Sequence, residues 1–225
     1  SAKCGCSHVK KIFLYMSRAV PLNELKFPYM HRGHVNLMEA LPHNCSQFTA
    51  VLVVRNPYDR LVSGFLDKYQ PNGEYRHRWG SSPLTFSGFV KELATGNFQR
   101  VDHHHFYHQT GDAFEERVLT CKEVRCYDIG NIDYGFLSEI YNREVPPILR
   151  QPVHHRACYL TTAGKTAELV LDYEGISDRP MDTYVGRKDL QYHRLFTPEL
   201  QKLVEAYFAP DFTFFAKHFA LKYSV

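Results

Sequence analysis

T-A-V-L-V-V-R-N-P-Y-D-R-L-V-S-G-F-L-D-K-Y, residues 49–69, is the stretch whose reading decides the fold. Ala50 to Val54 is a short unbroken apolar run rich in β-branched residues, the pattern of a strand buried on both faces in a parallel sheet. Asn56-Pro57 ends it, and Pro57 suits the first turn of a helix. From Tyr58 onward, Leu61, Val62, Phe65, Leu66 and Tyr69 recur at helical spacing. Arg55 is thereby placed at the carboxyl end of a central strand, with Arg60 and Ser63 one and two turns into the following helix. Two cations, a hydroxyl and a helix N-terminus meet where open α/β sheets bind ligands. That set suits phosphate, which takes fork donors, backbone N–H groups and a favourable dipole. The same residues also fit a plain strand–helix unit in which Arg60 is solvated and Arg55 pairs with a carboxylate.

Upstream, S-A-K-C-G-C-S-H-V-K-K-I-F-L-Y-M (1–16) passes from small residues into a helical pattern. Ser7 reads as its N-cap, and Val9, Ile12, Phe13 and Met16 as its apolar stripe. A small-residue loop with Lys3 ahead of a helix can wrap a phosphate. It lacks the G-x-x-x-x-G-K-[ST] pattern of nucleoside triphosphatases, and the strand that should precede it is almost missing. Residues 20–48 read as a long excursion with a short helix near Leu37, carrying His31 and His34.

Downstream, a polar loop over 71–83 leads to a helix from Thr85 to Leu93. V-D-H-H-H-F-Y-H-Q-T-G (101–111) follows. Its four histidines could bind metal, but no carboxylate or cysteine arrangement fixes a site, so it reads as a polar loop bordering a cleft. Val124 to Ile129 is a second buried strand, and Asp133 opens a helix through Tyr141. Residues 144–182 are irregular, with a short helix or strand over 167–173. Thr197 caps a helix that has Pro198 and Glu199 in its first turn, and Pro210-Asp211 opens a last, aromatic helix. With no repeat or low-complexity tract, the expectation is one α/β domain over 1–225, a P-loop-like central parallel sheet flanked by helices.

The 225 residues are 44% hydrophobic and 23% charged, an ordinary globular balance. A net charge of +3 is too mild to argue for nucleic acid. No apolar run is long enough to span a bilayer. A chain without a signal peptide predicts a cytoplasmic enzyme, or one of the Golgi lumen if an upstream anchor has been removed. The six cysteines show no metal spacing. Cys121 and Cys126 could pair in a secretory compartment, or stay buried free thiols.

Taken together, K-C-G-C-S ahead of a helix and V-V-R-N-P-Y-D-R-L-V-S-G-F after a strand resemble the sulfotransferases that use 3′-phosphoadenosine-5′-phosphosulfate. They look most like the carbohydrate sulfotransferases of the 2-O and 4-O type that act on glycosaminoglycan-like chains. The resemblance implies that Lys3, Cys4, Gly5, Cys6, Ser7 and His8 surround the 5′-phosphosulfate. It implies that Arg55 and Ser63, with Arg60 beside them, hold the 3′-phosphate. Y-D-I-G-N-I-D (127–133) resembles the family's later strand and turn. H-H-F-Y-H-Q resembles a His/Gln loop of the 2-O enzymes, which makes His104, His105 and His108 acceptor-binding residues. V-G-R-K-D (185–189) resembles a segment that reaches the 3′-phosphate in cytosolic members, so Arg187 and Lys188 join the set; a plain solvated pair fits them equally. Two departures stand out: Ala2 where the family has Pro, and Asn56 where it has an acidic residue.

The chemistry suits these residues. Sulfuryl transfer is an in-line displacement in which charge grows on the departing 5′-phosphate, as in phosphoryl transfer. Lys3 and Ser7 beside a helix N-terminus can meet that charge, with adenosine 3′,5′-bisphosphate as product. No metal is needed. The acceptor, a carbohydrate or small-molecule hydroxyl or amine, must lose a proton, and histidine suits that role near neutral pH. His34 is the first expectation for the base, His31 the second, and His104 or His105 the third. A P-loop-type kinase would share the anion cradle but needs the Walker pair and a magnesium-binding acid, which the sequence does not show. A non-catalytic anion- or glycan-binding module needs no base.

Overall fold

The computed structural model describes residues 6–25, 45–110, 114–150, 171–187 and 189–225. Its helices are α1 (Cys6–Met16), α2 (Pro57–Tyr69), α3 (Phe86–Ala94), α4 (His103–Phe106), α5 (Phe114–Leu119), α6 (Tyr134–Tyr141), α7 (Pro147–Arg150), α8 (Pro198–Tyr207) and α9 (Ala209–Phe219); its strands are β1 (Thr49–Val54) and β2 (Glu123–Asp128). The described residues form two compact units, one of 6–25, 45–55 and 114–150, the other of 56–110, 171–187 and 189–225. The expected short helix near Leu37 lies outside the described residues, as does most of the 167–173 segment.

In the first unit β1 and β2 pair in parallel, from Thr49 opposite Glu123 to Val54 opposite Asp128. Parallel strands need a crossover between them, and residues 55–122 supply it. The Ile129 N–H donates to the Val54 carbonyl at 2.9 Å, carrying the ladder past the end of β2. Among the described residues the sheet has these two strands. The expectation that β1 is buried on both faces is corrected, for only Val54 is fully buried. Val51 and Val53, which share one face, pack with Tyr127 and Ile129 on a core of Ile12, Leu14, Met16, Leu25, Ile132, Leu137, Val145 and Leu149. Val54, on the other face of the strand, is buried as well, while Ala50 and Leu52 beside it are half-buried. Ile132 and Leu137 reach that core because α6 starts where expected: the Asp133 carboxylate accepts the Phe136 N–H at 2.9 Å.

Helix α1 begins at Cys6, and its buried side chains include Ile12, Leu14 and Met16. Phe13, expected in the stripe, is 44% exposed. Arg18, at φ 61°, turns the chain back so that the Ala19 and Val20 N–H groups donate to the Leu14 carbonyl. Arg143 locks the same end, donating to the Tyr15 carbonyl with its guanidinium 3.6 Å from the Tyr15 ring centre.

In the second unit, α2, α3 and α8 enclose an aromatic core of Phe65, Tyr69, Phe86, Phe89, Phe106, Phe196 and Phe208. Caps set where these helices start. Thr197 accepts from the Leu200 N–H at 3.3 Å, as the sequence implied, and Thr85 likewise accepts from the Gly88 N–H at 3.0 Å. Asp211 does something else. Fully buried, its carboxylate accepts the Gln109 N–H (2.9 Å), the Thr110 N–H (2.9 Å) and the Thr110 hydroxyl (2.8 Å).

Three donors converging on one buried carboxylate make Asp211 a strong fastening for the chain after the histidines. Asp211→Ala should lower the unfolding free energy by about 3 kcal/mol, the scale of a lost charge-assisted hydrogen bond plus orphaned donors. Asp211→Asn, which keeps one acceptor oxygen, should lose less. Urea midpoints of the three proteins measure this, and an unshifted Asp211→Ala midpoint would remove the fastening role.

Candidate active site

Arg55 follows β1 directly and is half-buried, and Ser63 is half-buried in the middle of α2. Asn56 begins α2: its side-chain oxygen accepts the Tyr58 N–H at 3.0 Å while its amide donates to the Ser224 carbonyl at 3.0 Å. An acidic residue could do the first but not the second, which gives a physical reason for Asn at this position.

Arg60 is not a surface donor. It is 1% exposed, and its Nη2 donates to the carbonyls of His105 (3.1 Å) and Tyr107 (2.6 Å). The Phe208 ring centre lies 5.8 Å from its guanidinium carbon. The sequence reading of Arg60 as a solvated charge is corrected, and its Nη2 is directed to main-chain carbonyls. The side chain is turned inward because two main-chain carbonyls of the histidine segment need a donor there.

That segment is built rather than loose. Asp102 caps α4, accepting the His105 N–H at 2.9 Å, and the same carboxylate oxygen meets His105 Nδ1. The Asp102 N–H in turn donates to the Tyr69 hydroxyl at 2.8 Å, which itself donates to the Arg100 carbonyl at 3.1 Å. Phe106 is buried against Gly64. A Cβ at Gly64 would sit 2.7 Å from Phe106 Cε1 and 2.8 Å from Cζ, so only glycine lets the ring approach α2. Burial alone would raise the Asp102 carboxyl, but its hydrogen bonds from His105, helped by the Arg78 charge, hold it below the usual carboxylate range. With Nδ1–H directed at a carboxylate, the neutral His105 ring carries its lone pair on Nε2. That is the tautomer a general base uses.

The other expected site residues are more scattered. His104 is exposed, and His108 is half-buried, stacked on Tyr107 at 4.9 Å with its edge to Tyr207. Lys3, Cys4, Gly5, His31, His34 and Lys188 lie outside the described residues; Cys6 and Ser7 form the first backbone positions of α1. Arg187 makes a two-point ion pair with Asp189, at 2.9 and 2.7 Å, and Asp189 also accepts the Leu171 N–H at 2.9 Å. His8 is buried, with Nε2 3.1 Å from the Tyr134 hydroxyl. That hydroxyl donates to the Arg150 carbonyl, so it receives the His8 Nε2–H. Among the described residues no three His, Cys, Asp or Glu side chains gather as metal ligands, and no helix is long and apolar enough to cross a membrane. Asp102 was missed by the sequence reading. Its signal was there, an N-cap residue three positions before His105.

The described residues combine helices with a small parallel sheet, as in an α/β domain. The chain belongs to the sulfotransferase family, whose profile matches residues 2–138. Carbohydrate sulfotransferase 8 of Mus musculus and of Homo sapiens are each 30% identical to it over 90 residues, 36% of this chain. That stretch is 22% of the mouse protein and 21% of the human one, so the chain spans about a fifth of the length of the curated relatives it matches. No solved structure matches the chain.

The buried His8 gives a pH test. Burial, then the Lys11 charge, lowers its pKa from 6.5, so the folded state resists a proton that the unfolded chain accepts. Stability should therefore be constant above pH 6.5 and fall as the pH drops below it. Melting temperatures from pH 7.5 to about 5 should show this slope. His8→Gln should flatten it, and a slope unchanged in that variant would place the proton uptake elsewhere.

Proposed function

We propose that the chain moves the sulfuryl group of 3′-phosphoadenosine-5′-phosphosulfate to a hydroxyl of a carbohydrate acceptor. One observation carries this reading. The stretch matched to the family, residues 2–138, contains the K-C-G-C-S sequence (3–7) whose last two residues open α1, Arg55 directly after β1 and the oriented His105 of α4. The match to carbohydrate sulfotransferase 8 supports a carbohydrate as the acceptor class.

Bound to this chain, the donor supplies the activated sulfuryl group. Arg55 and Ser63 are proposed to hold its 3′-phosphate through a guanidinium and a hydroxyl, without Arg60. Lys3, Gly5 and the first backbone N–H groups of α1, with Ser7, are proposed to meet the charge that develops on the departing oxygen. Arg187, already paired to Asp189, is left outside the set. P-loop-like architecture around the K-C-G-C-S loop belongs to the same reading, as does a single working domain. For the base we propose His105 ahead of His34 and His31. Asp102 fixes its tautomer and steadies the imidazolium formed when the acceptor proton arrives.

Two measurements test this. Adenosine 3′,5′-bisphosphate should raise the melting temperature well above the shift given by adenosine 5′-monophosphate. Arg55→Ala should weaken the bisphosphate by roughly 1.5–3 kcal/mol, the scale of a charged hydrogen bond. Equal shifts from the two nucleotides would refute the 3′-phosphate assignment.

In sulfate transfer at saturating donor, His105→Ala should lose about 10²–10⁴-fold in turnover while binding the bisphosphate normally. Asp102→Asn should lose activity and also move the acidic limb of the rate profile, which a purely structural role would leave in place. If His34→Ala lost the activity and His105→Ala kept it, the base would lie in the 26–44 segment.

A further inference from the structure

Two thiols in the first unit have no part in the chemistry above. Cys45 is 1% exposed and lies four residues before β1; Cys121 is half-buried and lies two residues before β2. The strands they lead into are paired residue by residue, Thr49 opposite Glu123, so both cysteines stand at the same end of the sheet. Turns hold each in place: the Phe48 N–H donates to the Cys45 carbonyl at 2.9 Å, and the Cys121 N–H to the Val118 carbonyl at 3.1 Å. Beyond the effect of burial, Cys45 is near enough to Cys121 to push its thiol up, and Cys121 Sγ lies 3.9 Å from the Arg117 carbonyl.

We propose that Cys45 and Cys121 are an oxidisable pair that closes an intrachain disulfide across the entries of β1 and β2. Of the two alternatives the sequence left for Cys121 and Cys126, a bridge or free thiols, the bridge does not suit the fold, and both are free thiols here. Cys126 is inside β2 opposite Leu52, and the extended run from Glu123 alone carries it about 10 Å along the strand. Bridged Cα atoms lie within about 7 Å. Burial also pushes the Cys126 thiol up to about 12, leaving it little thiolate for exchange.

The step is thiol–disulfide exchange with an external disulfide, either a small-molecule disulfide or that of an oxidoreductase. Cys121, the more exposed of the two, attacks as thiolate and releases one external thiol, forming a mixed disulfide. Cys45 then attacks the Cys121 sulfur, the Cys45–Cys121 bond forms, and the second external thiol leaves. Two protons pass to the released thiols and the external disulfide takes up the two electrons. Burial and the neighbouring Cys45 raise the Cys121 thiol, so closure should quicken as the pH rises. A bond across the loop from 45 to 121 removes freedom chiefly from the unfolded chain, so the oxidised form should melt higher.

The test is the purified chain equilibrated in a reduced/oxidised glutathione buffer, alkylated, digested without reductant and mapped by mass spectrometry. The expected product is a Cys45 peptide linked to a Cys121 peptide, with the melting temperature raised by several degrees over the reduced protein. Cys121→Ser should abolish that rise and Cys126→Ser should keep it. Peptide mapping of the wild type decides the matter even if a Cys45→Ser variant folds poorly. The proposal is overturned if Cys45 stays alkylatable, if Cys121 ends as a glutathione adduct, or if either cysteine links to any other.

Discussion

A guanidinium with almost no access to water must find acceptors inside the protein, and for Arg60 they are the carbonyls of His105 and Tyr107. The second unit depends on this contact. Removing a charged fork from water is costly unless its donors are met, so α2 and the histidine segment are tied by a shared requirement. Asp211 imposes the complementary one, a buried carboxylate satisfied by the N–H groups of Gln109 and Thr110. Between them the two charges fasten the backbone from His105 to Thr110 at both its carbonyl and its amide groups. Phe106, pressed against Gly64, fills the apolar gap that remains.

That fastening is what makes the Asp102–His105 pair meaningful. A histidine on a loose loop would meet a nearby carboxylate only part of the time. Here the Asp102 N–H is held by the Tyr69 hydroxyl and the His105 carbonyl by Arg60, so cap and imidazole contacts share one rigid turn. The R-N-P-Y-D-R-L-V-S-G-F stretch thus carries mixed duties. Arg55, Asn56 and Ser63 are its half-buried polar residues. Asn56, Arg60 and Gly64 shape the turn, helix and ring packing around them. Such a stretch holds polar and scaffold residues in one string of letters, and the letters alone do not say which residue does which.

The first unit is simpler. A two-stranded parallel pairing with one apolar core orders α1, and β1 ends at Arg55. Helix α1 starts at Cys6. His8, two residues on, is held neutral and facing Tyr134, which suits a packing role in that helix.

By itself the sequence determined whatever depends on neighbours along the chain. The strand–Pro–helix order of 49–69, the caps at Thr85, Asp133 and Thr197, and the two loops that resemble a sulfotransferase's are all encoded within a few residues, where periodicity and capping act. Tertiary structure alone decided the rest. Phe13 is exposed and Leu14 buried because Leu14 is the one that packs in the core with Ile132, Leu137, Val145 and Leu149. Arg60 turns inward because carbonyls 45 and 47 residues away need a donor. Asp211 serves amides about a hundred residues before it rather than capping its own helix. Cys121 meets Cys45 rather than its nearer neighbour. In each case the partner is distant in sequence, and burial, which sets the cost of leaving a polar group unmatched, exists only once the chain has folded.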